Sequence, residues 1–137
     1  MADKPHRQEH HSTRSLIEKL GVSPEAKVTV IGIEDEEFWL HLGERTHDIV
    51  VGRLRQECDV IFYAADSLTA LKKLTSLKKY LVSNGAIWVV SLKGKAAKIK
   101  DTDVIAAAKA AGLVDNKVVS FSETHTSLRL VIPVNER

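Results

Sequence analysis

The chain closes with Lys117-Val118-Val119-Ser120-Phe121-Ser122, then Glu123-Thr124-His125-Thr126-Ser127, then Leu128-Arg129-Leu130-Val131-Ile132-Pro133-Val134, and this stretch decides how the rest is read. Two β-branched, apolar runs flank five polar residues. A parallel return between neighbouring strands needs a dozen or more residues, so five can only join an antiparallel hairpin. Upstream the pattern differs. Residues 28–33, 49–52, 60–65 and 87–92 are nearly continuous apolar strings, as expected of strands covered on both faces. Helical patterns alternate with them, which predicts a mostly parallel sheet with crossover helices in a three-layer α/β domain, in the order α-β-α-β-β-α-β-α-β-β.

Glycines punctuate the helices. Gly21, Gly43, Gly85 and Gly112 each follow a stretch of helical pattern, where a left-handed residue ends a helix, so four helices are expected. The first carries Ser15 and Glu18 at capping-box spacing, with Leu16, Ile17 and Leu20 turned inward. The second is short, with Glu36 and Glu37 in its first turn and Phe38, Trp39 and Leu42 as apolar anchors. The third runs from about 67 to 83. There Leu71, Leu74, Leu77 and Leu81 share an arc, with Lys72 and Lys79 opposite. The fourth starts at Asp101-Thr102-Asp103, short polar residues suited to capping, and runs to Ala111. The link from 53 to 59 is too short for an ordinary crossover. Either the strand before it is very short and the link extended, or that strand is an antiparallel edge.

At 137 residues, with 44% hydrophobic and 28% charged side chains, the chain has room for one self-sufficient core. Residues 1–11 are polar and aperiodic and read as a tail, leaving 12–137 as a single domain. The tail histidines His6, His10 and His11 have no companion carboxylate or thiolate pattern, so no metal is expected. No apolar run reaches the roughly 18 residues of a spanning helix and no secretory core is present, which predicts a soluble, cytoplasmic protein with no membrane contact. Cys58, the one cysteine, precedes a buried strand and reads as an inert packed thiol. His41 and His47 have no partner at zinc-motif spacing. The net charge is +2, too small for long-range steering, so its distribution matters: lysines at 72, 73, 78, 79, 93, 95, 98 and 100, acids at 34–37.

With these elements placed, Leu20-Gly21-Val22-Ser23-Pro24-Glu25-Ala26-Lys27-Val28-Thr29-Val30-Ile31-Gly32 before the first strand and Ala111-Gly112-Leu113-Val114 before the hairpin resemble a pared-down class I methyltransferase-type Rossmann domain. One helix and one strand after the second strand are missing. The block Gly112-Leu113-Val114-Asp115-Asn116-Lys117-Val118, with Glu123-Thr124 and Leu128-Arg129, is similar to an uncharacterised bacterial family of small α/β proteins, a domain of unknown function. That resemblance covers about residues 15–131, and the chain departs from it in carrying His125 where tryptophan is usual. It implies a Rossmann-like fold and, having no established activity to carry over, leaves function open.

The residues argue against an S-adenosylmethionine enzyme. The turn after strand one, Ile31-Gly32-Ile33-Glu34-Asp35-Glu36-Glu37, has a single glycine followed by carboxylates that repel phosphate and would plug the adenosine hollow. The second strand ends Val51-Gly52-Arg53, without an acid for ribose, and Gly-x-Gly-x-x-Gly is absent. Asp66-Ser67 reads as a helix cap before it reads as catalytic. No catalytic residue and no cofactor is expected.

Two clusters are candidate ligand sites. Lys93, Gly94 and Lys95 follow the fourth parallel strand, where flexible ammonium groups and exposed amides suit an anion. Asp115, Asn116 and Lys117, with Glu123 and Arg129, are expected to converge at one loop end of the sheet, Lys117, Glu123 and Arg129 as an ion-pair network. The expected function is a non-catalytic, methyltransferase-like domain binding a partner protein or small anionic ligand. The alternatives are a methyltransferase with an atypical cofactor loop, and a weak nucleic-acid binder using the lysines without aromatic stacking platforms.

Overall fold

The computed structural model describes residues 16–137. The tail of residues 1–11, its histidines and the Ser15 half of the capping box lie outside the described residues. Helix α1, of which residues 16–19 are described, ends at Gly21, whose φ of +73° is the left-handed conformation a glycine takes without strain. Then come β1 (Val28–Ile31), α2 (Glu36–Arg45), β2 (Ile49–Val51), β3 (Cys58–Ala64), α3 (Leu68–Leu71), α4 (Leu74–Lys78), β4 (Leu81–Leu92), α5 (Asp101–Ala110), β5 (Val114–Ser120) and β6 (His125–Val131). One six-stranded sheet has the order β2-β1-β3-β4-β6-β5. Strands β1 to β4 pair in parallel, while β6 runs antiparallel to both β4 and β5.

Because side chains alternate across a strand, the apolar strings split into two cores. Under α1 and α2 lie Val28, Val30, Phe62, Trp88 and Val90 with Leu20, Phe38 and Leu42. Beneath α3, α4 and α5 lie Ile61, Ile87, Val89, Leu128 and Leu130 with Leu71, Leu74, Leu77, Val104 and Ala108. The sequence signals for the hairpin, the parallel strings and the apolar helix faces agree with this three-layer arrangement.

Four expectations need correction. Gly43 lies inside α2, which runs on to a cap at Thr46 in extended backbone. Gly85 ends no helix; it sits in β4, where an added Cβ would fall 2.9 Å from the Asp59 carbonyl oxygen and 3.0 Å from that of Cys58. Glycine is there because two backbones approach closely beside the irregularity between Cys58 and Val60. The third helix is two short ones. Lys72 and Lys73 keep turn-like dihedrals, but the Lys72 N–H is shared between the Leu68 and Thr69 carbonyls at 3.3 and 3.2 Å and the Lys73 N–H donates to its i−3 partner, the Ala70 carbonyl, at 3.2 Å. Leu81 already belongs to β4. The leucine arc is preserved across the break, which is why spacing did not expose it. In the last helix only Asp103 caps, accepting from the Lys100 N–H at 2.8 Å.

The short link resolves in favour of a very short strand with an extended connection. β2 has three residues and runs parallel to β1, and the chain crosses to β3 through residues 52–57 with no helix. Arg55 holds this crossing down. Its Nη2 donates to the Val28 carbonyl at 3.0 Å and the Asp48 carbonyl at 2.8 Å, and its Nη1 pairs with the Asp48 carboxylate. Its own carbonyl accepts from the buried Cys58 thiol at 3.0 Å, giving that cysteine a packing role.

Candidate functional site

In an open parallel sheet, ligands sit beyond the carboxyl ends of the strands. Here that edge is made of the segments after Ile31, Val51, Ala64 and Leu92 together with the β5–β6 turn. Gly32 follows β1 with φ +82°, and a Cβ on it would lie 3.1 Å from the Cβ of Ala64. The next residue, Ile33, turns into the core. Asp35 caps α2 by accepting from the Phe38 N–H at 2.9 Å, which aims Phe38 inward against Phe62 and Phe121, each with ring centroids 5.0 Å away. Trp39 lies over the turn, its indole N–H donating to the Ile33 carbonyl at 2.8 Å. The turn is therefore closed by apolar side chains, while Glu34, Glu36 and Glu37 point to solvent. This corrects the expectation of an acidic plug: carboxylates stay wet because burying them unpaired is far costlier than burying Ile33 and Phe38.

At the end of β3, Asp66 and Ser67 divide two tasks. The Ser67 hydroxyl caps α3, accepting from the Ala70 N–H at 3.0 Å, and the Asp66 carboxylate accepts from the Leu92 N–H at 2.8 Å, tying β3 to β4. Lys93 fastens the hairpin: its N–H donates to the Thr124 carbonyl at 3.0 Å and its Nζ donates to the Ser120 hydroxyl at 2.7 Å. Gly94, at φ +67°, opens a turn of 3-10 helix, Gly94–Ala96, that leaves Lys95 exposed. The hairpin turn is internally bonded, Ser122 Oγ accepting from the N–H groups of Thr124 and His125 at 3.2 and 3.1 Å.

The first candidate cluster stays together, but the second divides, with Glu123 falling beside the first. Lys93, Gly94, Lys95 and Glu123 lie at the carboxyl edge. Asp115, Asn116, Lys117 and Arg129 lie back along β5 and β6, with Asn116 the extra residue at the irregularity between Asp115 and Lys117. Lys117 and Arg129 are register partners of like sign, and Glu123 lies beyond the last paired residue of β5. Among the described residues no ion pair joins Lys117, Glu123 and Arg129; the pairs present are His41–Glu44, Arg55–Asp48 and Lys78–Glu136. Lys117 instead donates from Nζ to the Lys19 carbonyl at 3.0 Å, a cation at the C-terminus of α1, beside the buried Trp88 indole, which donates to the Leu20 carbonyl at 2.9 Å.

Arg129 faces a groove of about 340 Å³ at the opposite, amino edge of the sheet, bordered also by Gly21, Ser23, Glu25, Asp59 and Asn84. Burial, and then the charge of Arg137, lower its pKa from the ordinary arginine value. Sequence reasoning did not connect these residues; they come from four separate segments and no spacing marks them. Burial raises the pKa of Tyr63, whose hydroxyl donates to the Ala70 carbonyl at 2.8 Å. Among the described residues no group of three or more His, Cys, Asp or Glu is placed to hold a metal ion, and no helix is long and apolar enough to cross a membrane.

Residues 18–134 match the family described as a protein of unknown function, DUF3052. The chain belongs to this family. No curated protein matches it. Among solved structures it is similar to a SAM-dependent methyltransferase from Aquifex aeolicus, with 14% identity and a TM-score of 0.62 over 96% of this chain and 95% of that one. It is also similar to the calicheamicin-biosynthesis methyltransferase CalO1 in its SAH-bound form, with 15% identity and a TM-score of 0.61 over 93% of this chain and 56% of that one. For the pyocyanin biosynthetic protein PhzM the figures are 9%, 0.64, 88% and 54%, so the chain spans about half the length of the latter two. At such identities the likeness establishes the fold: a DUF3052 domain is a trimmed methyltransferase-like α/β sheet.

Proposed function

We propose that this DUF3052 chain is a non-catalytic, cytoplasmic binding domain whose partner is anionic, either an acidic protein surface or a small anion held by the same lysines. The observation that carries the reading is the segregation of charge between the two helical layers. On the layer of α3, α4 and α5 and the loop leading to α5, Lys72, Lys73, Lys79, Lys95, Lys98, Lys100 and Lys109 are exposed, with Asp101 and Asp103 the acids on α5. The α2 layer instead exposes Glu34, Glu36, Glu37 and Glu44. A flat field of lysines, point charges on flexible stems, suits an acidic surface better than a shaped phosphate pocket. The β1–α2 turn supports the non-catalytic half of the reading, because Ile33 and Phe38 are packed into the core and Glu34, Glu36 and Glu37 are solvent-facing carboxylates.

Fluorescence anisotropy with labelled poly-L-glutamate tests it. Binding is expected to weaken steeply from low to moderate salt, and the Lys95→Glu, Lys98→Glu double variant to lose about tenfold. Equal binding by the variant overturns the reading; stronger binding of duplex DNA than of polyglutamate replaces the partner by nucleic acid. A second reading, a methyltransferase with an atypical loop, is favoured by one feature: Gly32 is exposed and left-handed at the carboxyl end of β1, where bare backbone admits a close ligand. Calorimetric titration with S-adenosylmethionine decides between them, and micromolar binding would establish the second.

A further inference from the structure

The amino-edge groove joins groups of opposite charge that do not satisfy one another. Arg129 projects from the α1-side face of β6, half-buried, and among the described residues its guanidinium makes no hydrogen bond and no ion pair. Its five N–H donors keep access to solvent, and no acceptor among the described residues meets them. Asp59 and Glu25 border the same groove, yet neither pairs with Arg129 within 4.0 Å. Asp59 Oδ2 accepts from the Lys27 N–H at 2.8 Å, which leaves its other oxygen for a second donor, and Glu25 stands exposed at the rim. Ser23 and Asn84 add neutral hydrogen-bonding groups, and Leu20 and Val60 supply an apolar floor.

We infer that this groove binds a small zwitterion of the amino-acid or dipeptide class, its carboxylate on Arg129 and its ammonium between Asp59 and Glu25. A simple anion would meet the two carboxylates, and a simple cation would meet the guanidinium. Only a ligand carrying both charges answers both sides. The volume of about 340 Å³ has room for a dipeptide. A planar guanidinium suits a carboxylate in a two-point contact, which also fixes which way round the ligand lies. Burial and the charge of Arg137 both disfavour the charged guanidinium, so a carboxylate brought to it would offset them. This inference is independent of the lysine layer on the other side of the sheet.

The test is an NMR titration of the 15N-labelled full chain with glycyl-leucine, N-acetyl-glycyl-leucine and glycyl-leucine amide. Saturable shifts are expected at the amides of Gly21, Ser23 and Asn84 with the free dipeptide. Each blocked form should bind about tenfold more weakly, the loss expected for one charged hydrogen-bonded contact. Arg129→Gln should abolish discrimination between the free dipeptide and its amide, with its 15N spectrum checking the fold. Absence of shifts with the free dipeptide overturns the inference, as does equal binding of either blocked form by the unmodified protein.

Discussion

Replacing Arg55 by methionine tests the claim that a clamp, and not a crossover helix, holds the passage from β2 to β3. Methionine keeps most of the apolar stem and removes the three contacts of the guanidinium. Two are charge-assisted bonds to the Val28 and Asp48 carbonyls, at 3.0 and 2.8 Å, and Arg55 is only 19% exposed there. Each is worth about 1 kcal/mol net; stranding the carbonyls adds a fraction more, and removal of the buried Arg55 Nε, which has no partner among the described residues, offsets a similar fraction. The third is the ion pair with Asp48, whose side chain is 54% exposed, so screening reduces it to about 0.5 kcal/mol. The expected loss is about 2–3 kcal/mol, or about 8 °C or more in Tm for a domain of this size. Urea unfolding followed by far-UV circular dichroism measures it, with Arg53→Met, on an exposed neighbour, expected to stay within about 0.5 kcal/mol. Most of the loss should persist in 1 M salt, because carbonyl bonds are not screened as an exposed pair is. A loss below about 1 kcal/mol, or one that vanishes in salt, would refute the reasoning and leave packing of the link as the cause.

Trp88→Phe should cost about 2–3 kcal/mol in the same unfolding assay, since it opens a gap in the core and leaves the Leu20 carbonyl without its donor. Gly85→Ala should cost at least about 2 kcal/mol by the same measure, because its Cβ would press on two fixed carbonyls at 2.9 and 3.0 Å; a neutral effect would show that β3 and β4 can part there. Tyr63 gives a pH prediction. Its folded pKa lies above the ordinary value near 10, so its neutral form is favoured by folding; the stability it contributes is whole below pH 10 and is lost as pH climbs through the raised folded value. Stability against urea should therefore fall on the alkaline side, and Tyr63→Phe should flatten that fall. Asp35→Ala should cost about 1 kcal/mol through the lost cap on α2 and increase acrylamide quenching of Trp39 as the turn loosens.

What the sequence disclosed and what it hid follow from range. The hairpin was legible because a five-residue polar link leaves one geometry, and Gly21 and Gly112 were legible as helix ends because both need a left-handed backbone, at φ +73° and +78°. Gly85 reads the same way in one dimension, yet its cause is a neighbouring strand brought in by a crossover. The split between α3 and α4 left no mark because the break preserves the leucine arc. At the β1–α2 turn the run of acids is conspicuous in the sequence and reads as a plug, while Ile33 and Phe38, the residues that turn inward, are ordinary apolar residues that no local pattern marks. The candidate site was less legible still. Lys93 and Lys117 turned out to fasten structure, and Asp59, Asn84 and Arg129 meet only because three strands end at one place.

The two tryptophans occupy contrasting stations. Trp88 is wholly sealed beneath α1, while Trp39 is half-exposed over the β1–α2 turn. The protein therefore carries two built-in optical probes, a blue-emitting indole that senses whether the first helix is seated and a red-shifted one that senses the rim of the sheet. Single-tryptophan variants would let one fluorimeter follow the two margins of the domain separately, with no label attached.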